Sequence, residues 1–169
     1  MEKKKDTIIR KEHNLGLTYV EFKDRLKESQ NAVLFLKEYI ESKGLKTHVP
    51  DLFITPNIED RGDYSDDVDL IFFRKNGDEV RVEVKQKTIN FTDKDFIYKE
   101  IIVNSITGYN SKLIKPDLHI LLSKDRKYAA VIDNNNRDKW YLKKVFDRVK
   151  KTYLQFFFLE TKYVEFIKL

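Results

Sequence analysis

Cysteine is absent from the 169-residue sequence. That excludes disulfides, thiolate metal sites and thiol nucleophiles, and it gives no sign of an oxidising compartment. Histidine occurs only three times, as His13, His48 and His119. No two of them are at ligand spacing, so a zinc site is not expected. With three prolines and five glycines, the chain shows no low-complexity segment, no internal repeat and no sign of a second domain. No apolar run approaches the length of a membrane span. The first residues, Met1-Glu2-Lys3-Lys4-Lys5-Asp6, lack the apolar stretch of a signal peptide. The expectation is a soluble, cytoplasmic protein with no membrane partner.

What remains is enough apolar material for one core. Hydrophobic residues make up 41% and aromatics 13%, which at this length predicts a single domain over 1–169, with 1–15 as a loose polar arm. Charged residues reach 36% and the net charge is +5. A modest excess of Lys and Arg suits a polyanionic partner, although alone it is a weak argument.

Two apolar segments organise the reading. Asp69-Leu70-Ile71-Phe72-Phe73 and Val80-Arg81-Val82-Glu83-Val84-Lys85 each have the pattern of a strand. Between them lies Arg74-Lys75-Asn76-Gly77-Asp78-Glu79, and Asn-Gly between apolar runs is a strong hairpin signal. Strand side chains alternate faces, so Arg81, Glu83, Lys85 and Lys87 share one face, and Val80, Val82 and Val84 the other. Pairing about the Asn-Gly turn brings Asp69 beside Glu83 and Lys85. Two carboxylates with a lysine next to them form a hard oxygen site for a divalent ion.

This arrangement resembles the PD-(D/E)xK nuclease superfamily. Asp69 matches the family's first acidic strand residue, and Glu83-Val84-Lys85 matches its (D/E)xK tripeptide. The family proline is absent, with Val68 one residue before the aspartate. The resemblance spans residues 18–133 in the order helix, hairpin, helix, strands. It implies an α/β (α+β) fold with a restriction-endonuclease-like core, a mixed central sheet flanked by helices. It implies a Mg²⁺-dependent DNA endonuclease, with Mn²⁺ able to substitute, in which Asp69, Glu83 and Lys85 are catalytic. Asp69, Glu83 and the Val84 carbonyl would hold the metal, and the first helix would supply a further acid, Glu28 or Glu21. Small members of this size act as homodimers. A restriction-type or mobile-element endonuclease is favoured over a Holliday-junction resolvase. A non-catalytic DNA-binding or assembly protein on the same fold is the reading from another class. Another is an ordinary interaction domain whose Glu83 and Lys85 are a surface cross-strand pair.

The rest of the chain fits around the hairpin. Thr18 and Glu21 form a capping box, and Leu26, Val33, Leu36 and Ile40 recur at helical spacing up to Gly44, predicting a helix, or a helix with a break near Ser29, over 18–43. Thr47-His48-Val49 begins a short strand. Val49-Pro50-Asp51 imitates the family motif, but proline is disfavoured inside a central strand. Arg61 lies in a polar loop leading to the proposed site, where it is a candidate substrate contact, and Lys87 is placed to touch a phosphate. Thr92 starts a second expected helix that buries Ile97, Ile101, Ile102, Ile106 and Tyr109 and exposes Lys94 and Lys99 toward DNA. Leu118–Leu122 is nearly all apolar, as in a strand covered on both faces, with His119 a core or edge histidine. Tyr128–Ile132 is another strand. Residues 138–151 are expected to form a basic amphipathic helix around a buried Trp140. Tyr153–Leu159 and Tyr163–Ile167 are expected to close the chain as a hairpin, with Phe156-Phe157-Phe158 in the core or in a self-association surface.

Overall fold

The structure, a computed structural model, describes residues 19–50, 68–148 and 151–169. Arg61, Asp51 and the Thr18 cap lie outside these residues, and the Glu21 side chain is likewise not described.

The architecture is mixed α+β, in three layers. Helix α1 (Tyr19–Ser42) is followed by β1 (Lys46–His48), β2 (Leu70–Phe73) and β3 (Glu79–Gln86). Then come β4 (Glu100–Ser105), a short α2 (Ile106–Asn110), β5 (Leu118–Leu122) and β6 (Tyr128–Asp133). The chain ends with β7 (Tyr141–Asp147), β8 (Thr152–Glu160) and β9 (Glu165–Lys168). Six strands form a central mixed sheet in the order β1-β2-β3-β5-β6-β9, and β4-β8-β7 form a second sheet. Only β3 and β5 run parallel, and the other pairs are antiparallel.

Helix α1 runs without a break and stops where the sequence expects it to. Gly44 has φ +80° and donates to the Glu41 carbonyl, while Leu45 donates to that of Ile40. That is the paired-bond ending a left-handed glycine allows. Ala32, Val33, Leu36 and Ile40 are buried against Leu70, Val80, Val82, Val84, Ile120 and Leu122. The valine face of β3 therefore closes on the helix. Each such side chain contributes roughly 1.5–3 kcal/mol of apolar burial.

The turn between β2 and β3 is a three-residue loop with Asn76 at its centre. Gly77 N–H donates to Arg74 O, Arg74 N–H to Asp78 O, and Gly77 sits at φ +91°. This is a type I turn with a glycine bulge, whose twist suits the strands. The register pairs Leu70 with Val82 and Phe73 with Glu79.

Several expectations are corrected. The central sheet is not flanked by helices on both faces, because its second face is covered by the three-stranded sheet. The helix expected from Thr92 through Tyr109 does not form, and only its last residues fall in the short α2. Residues 87–99 are irregular, Ile97 is exposed, and Ile101 and Val103 are buried in β4. The β-branched run Ile101-Ile102-Val103 pairs with β8 across Leu159 and Phe158. That tertiary pairing overrides a weak helical period. The α-helix expected from residue 138 does not form: a 3₁₀ segment (Asn134–Lys139) leads into β7 (Tyr141–Asp147). Trp140 is nevertheless buried, with Tyr109, Phe157 and His119 around it. The last two strands are not a hairpin. β8 pairs with β4 and β7 while β9 pairs with β6, so the Thr161–Tyr163 turn carries the chain from one sheet to the other. The buried Phe157 and Phe158 place that strand in the core. Among the described residues no helix is long and apolar enough to cross a membrane.

Candidate functional site

The site lies on the β3 face turned away from α1, between the two sheets. Asp69 immediately precedes β2, and its N–H donates to Val82 O at 3.0 Å. Asp69 stands just outside the last paired position, Leu70–Val82, at the Glu83 end of the ladder. Its Oδ2 accepts from the Val84 N–H at 2.7 Å. The carboxylate thus does the work of the partner strand where β2 has ended. Within a strand the N–H and C=O of one residue point to the same edge. The Val84 carbonyl therefore leaves β3 on the side where Asp69 sits.

Glu83 is two residues from Lys85 on this face and neighbours His119 on β5. Its Oε2 is buried, makes no aligned hydrogen bond, and forms an ion pair with Lys112 Nζ at 2.8 Å. Both side chains are nearly enclosed, 14% and 11% exposed. Lys85 Nζ donates to Val103 O at 2.8 Å. That carbonyl is accessible for a definite reason: the β4–β8 register pairs Ile102 with Phe158 and Asn104 with Phe157, leaving Val103 as the extra residue of a bulge. A bulge takes one residue out of the ladder and re-aims it. Burial pushes the Lys85 ammonium down to about 8, against the pull of Glu83 and Asp69. Burial also lowers Lys87, whose N–H extends the parallel pairing by donating to Leu122 O.

His119 is fully buried, stacked on Tyr109 at 6.2 Å and edge-on to Trp140 at 5.5 Å, with no hydrogen bond at either ring nitrogen. Burial, then the charges of Lys85 and Lys112, push it down to about 3, so it is neutral at physiological pH. The sequence placed His119 in the core, and that is where it stands. Neither Lys112 nor the Val103 bulge carries a local signal that singles it out. Lys112 follows a five-residue helix that the expected long helix concealed, and a bulge exists only relative to a partner strand.

The structure brings Asp69, Glu83, Lys85 and the Val84 backbone together. Glu28 is exposed on α1. Lys94 and Lys99 are exposed on the irregular segment before β4. Among the described residues, no three acidic or histidine side chains gather into a ready-made metal cage. The donor set still fits Mg²⁺, which takes few carboxylates and keeps several waters. It offers two carboxylates, one of them with a buried oxygen lacking an aligned hydrogen bond, and a backbone carbonyl at the same strand edge.

Chemically, the fold and site define a mixed α+β protein with a carboxylate–lysine cluster buried between two sheets. Comparison with family models, curated proteins and solved structures finds no match to this chain.

Proposed function

We propose that this protein is a Mg²⁺-dependent DNA endonuclease of the restriction or mobile-element type, on a restriction-endonuclease-like core. The observation that carries the reading is the Asp69 carboxylate held on the Val84 N–H, between Glu83 and Lys85 in sequence, with both acids within electrostatic reach of Lys85. The order of elements supports it too: a helix, an antiparallel three-strand meander, then a crossover to a strand parallel to the ExK strand. The crossover departs from the expected pattern in using a strand and one short helix.

Asp69, Glu83 and the Val84 carbonyl are the residues to hold Mg²⁺ or Mn²⁺; the Glu28 expected as a further ligand stands exposed on α1, which covers the opposite face of β3, and is not brought to them. A bound divalent ion at such a pair supplies Lewis-acid polarisation of a phosphodiester. The protein's own groups do the rest. Asp69 is oriented by the Val84 N–H, and Glu83 is shielded from bulk water. Lys85 is held by the Val103 carbonyl, within electrostatic reach of both acids. With its pKa near 8, Lys85 is mostly charged at pH 7. Its role is to offset the negative charge that develops on the phosphoryl oxygens, where a preorganised cation in a partly dry site counts most. Lys87, Lys94, Lys99 and Arg61 are proposed DNA contacts, and a homodimer would cut both strands.

The test is incubation of purified protein with supercoiled plasmid in Mg²⁺, in Mn²⁺ and in EDTA. Nicking or linearisation that requires the metal and disappears in Lys85→Ala is expected. Equal cleavage by Lys85→Ala would overturn the assignment. Comparing linear duplex with a four-way junction on a gel separates the restriction-type reading from a resolvase.

A further inference from the structure

We infer that Lys112 is the built-in counter-cation of this site, paired with Glu83 in the metal-free protein and displaced when a divalent ion binds. The inference rests on the metal reading above and adds a residue to it. Three observations carry it. First, Lys112 Nζ lies 2.8 Å from the Glu83 oxygen that makes no aligned hydrogen bond, so the lysine stands where a cation would coordinate. Second, the pair is almost enclosed, 11% and 14% exposed, and a carboxylate in such a place is costly without a cation beside it. Third, the segment bearing Lys112 is built to hold it there. Lys115 Nζ donates to the carbonyls of Tyr109 and Asn110, at 2.9 and 3.2 Å, and to that of Lys112, tying down the end of α2.

An ammonium and a divalent ion cannot share one carboxylate oxygen in a poorly solvated space, because like charges a few ångströms apart repel strongly there. Metal binding therefore has to expel the Lys112 ammonium from Glu83.

The experiment titrates MnCl₂ into the full-length protein by calorimetry and follows melting temperature with and without Mn²⁺. Removing the competing charge in Lys112→Met is expected to tighten Mn²⁺ binding about tenfold. The melting temperature of Lys112→Met should also rise more on Mn²⁺ addition than that of wild type, because metal supplies the cation the variant lacks. Lys112→Arg keeps the pair and should behave as wild type. A lysine with a merely structural role would lower the melting temperature equally in both conditions and leave Mn²⁺ affinity unchanged, and that result overturns the inference. Should Lys112→Met not fold, wild-type protein answers the same question. Acetylation of Lys112, read by mass spectrometry, is expected to increase several-fold on Mn²⁺ addition as the side chain leaves its enclosed position. Unchanged acetylation under saturating Mn²⁺ defeats the inference. If Mn²⁺ binds and binding is lost in Asp69→Ala, yet Lys112 neither moves nor competes, only this inference fails. If no Asp69-dependent binding occurs, the metal reading fails with it.

Discussion

The two faces of β3 follow opposite rules. Toward α1, Val80, Val82 and Val84 are buried among aliphatic side chains and make no polar contact that needs matching. Toward the second sheet, the same strand presents Glu83 and Lys85, and its neighbour β5 presents His119. The first face stabilises the fold by removing apolar surface from water. The second carries charged groups whose desolvation is only partly offset. Lys85 has a carbonyl, Glu83 has Lys112, and the His119 nitrogens have no hydrogen bond. On the proposed reading, these buried polar groups, which cost stability and could be replaced by apolar ones, belong to the face kept for chemistry. Substitutions on the two faces should therefore separate stability from activity.

The largest effect is expected from Lys85→Met. It removes the ammonium and keeps the buried stem, so metal-dependent cleavage should fall by about a thousandfold, the upper range for losing one preorganised group. Its stability should hold or rise, since a desolvated charge is gone. Plasmid cleavage and urea melts on one preparation check both halves. A large loss of stability would place Lys85 in the structural class with the valines.

The opposite face gives the opposite pattern. Leu70 is fully buried in the helix-side core. Leu70→Ala should lower unfolding free energy by about 2–5 kcal/mol through lost transfer energy and a residual cavity. At a temperature where the variant is folded, its cleavage per molecule should stay within a few-fold of wild type, because Leu70 points away from the site. Denaturant melts and cleavage rates measured together decide the point.

How much of this was legible in the sequence follows from range. The hairpin, the valine and Glu-Lys faces and the helix stop at Gly44 are set by local rules of alternation and turn chemistry, and they were readable. The register was not, because the turn expected to centre on Asn76 and Gly77 is a three-residue loop centred on Asn76, which moves the pairing by one residue. Strand β5 was readable, because a run of five residues that is apolar but for His119 fits a strand covered on both sides. The second sheet was not legible. Residues 100–105 and 141–147 carry periods that fit a helix about as well as a strand, and what decides is β8, more than fifty residues away from β4. The missed parts of the site, Lys112 and the Val103 carbonyl, belong to that long-range pairing. A strand reading of Ile101-Ile102-Val103 from its β-branching was the one available signal.

His119 tests the polar face without touching catalysis directly. Its pKa lies near 3 in the fold against an ordinary value near 6.5. The folded state therefore keeps the ring neutral where the unfolded chain binds a proton. Stability from the neutral ring is complete above about 6.5 and drains away as pH falls toward 3, at roughly 1 kcal/mol per pH unit in that window. In His119→Phe, which suits the Tyr109 and Trp140 surroundings, this acid-side slope should vanish. Urea melts at pH 7, 6, 5 and 4 measure it. An unchanged slope would mean that other groups govern acid unfolding.

The smallest expected effect lies at the far end of the hairpin. A Cβ built on Gly77 meets nothing within 4 Å, so Gly77→Ala introduces no clash. The cost is the backbone conformation alone. At φ +91° an alanine is strained by roughly 1–2 kcal/mol. Gly77→Asn should cost less, because asparagine tolerates left-handed backbone better. The register itself should survive, since a slip of one residue would turn Glu83 and Lys85 into the helix-side core and the valines out of it. Both variants should accordingly melt a few degrees lower, in the order alanine then asparagine, with cleavage per folded molecule unchanged. A loss of cleavage larger than the loss of stability would show that the turn, rather than the contrast between the faces, fixes how Asp69 meets Glu83.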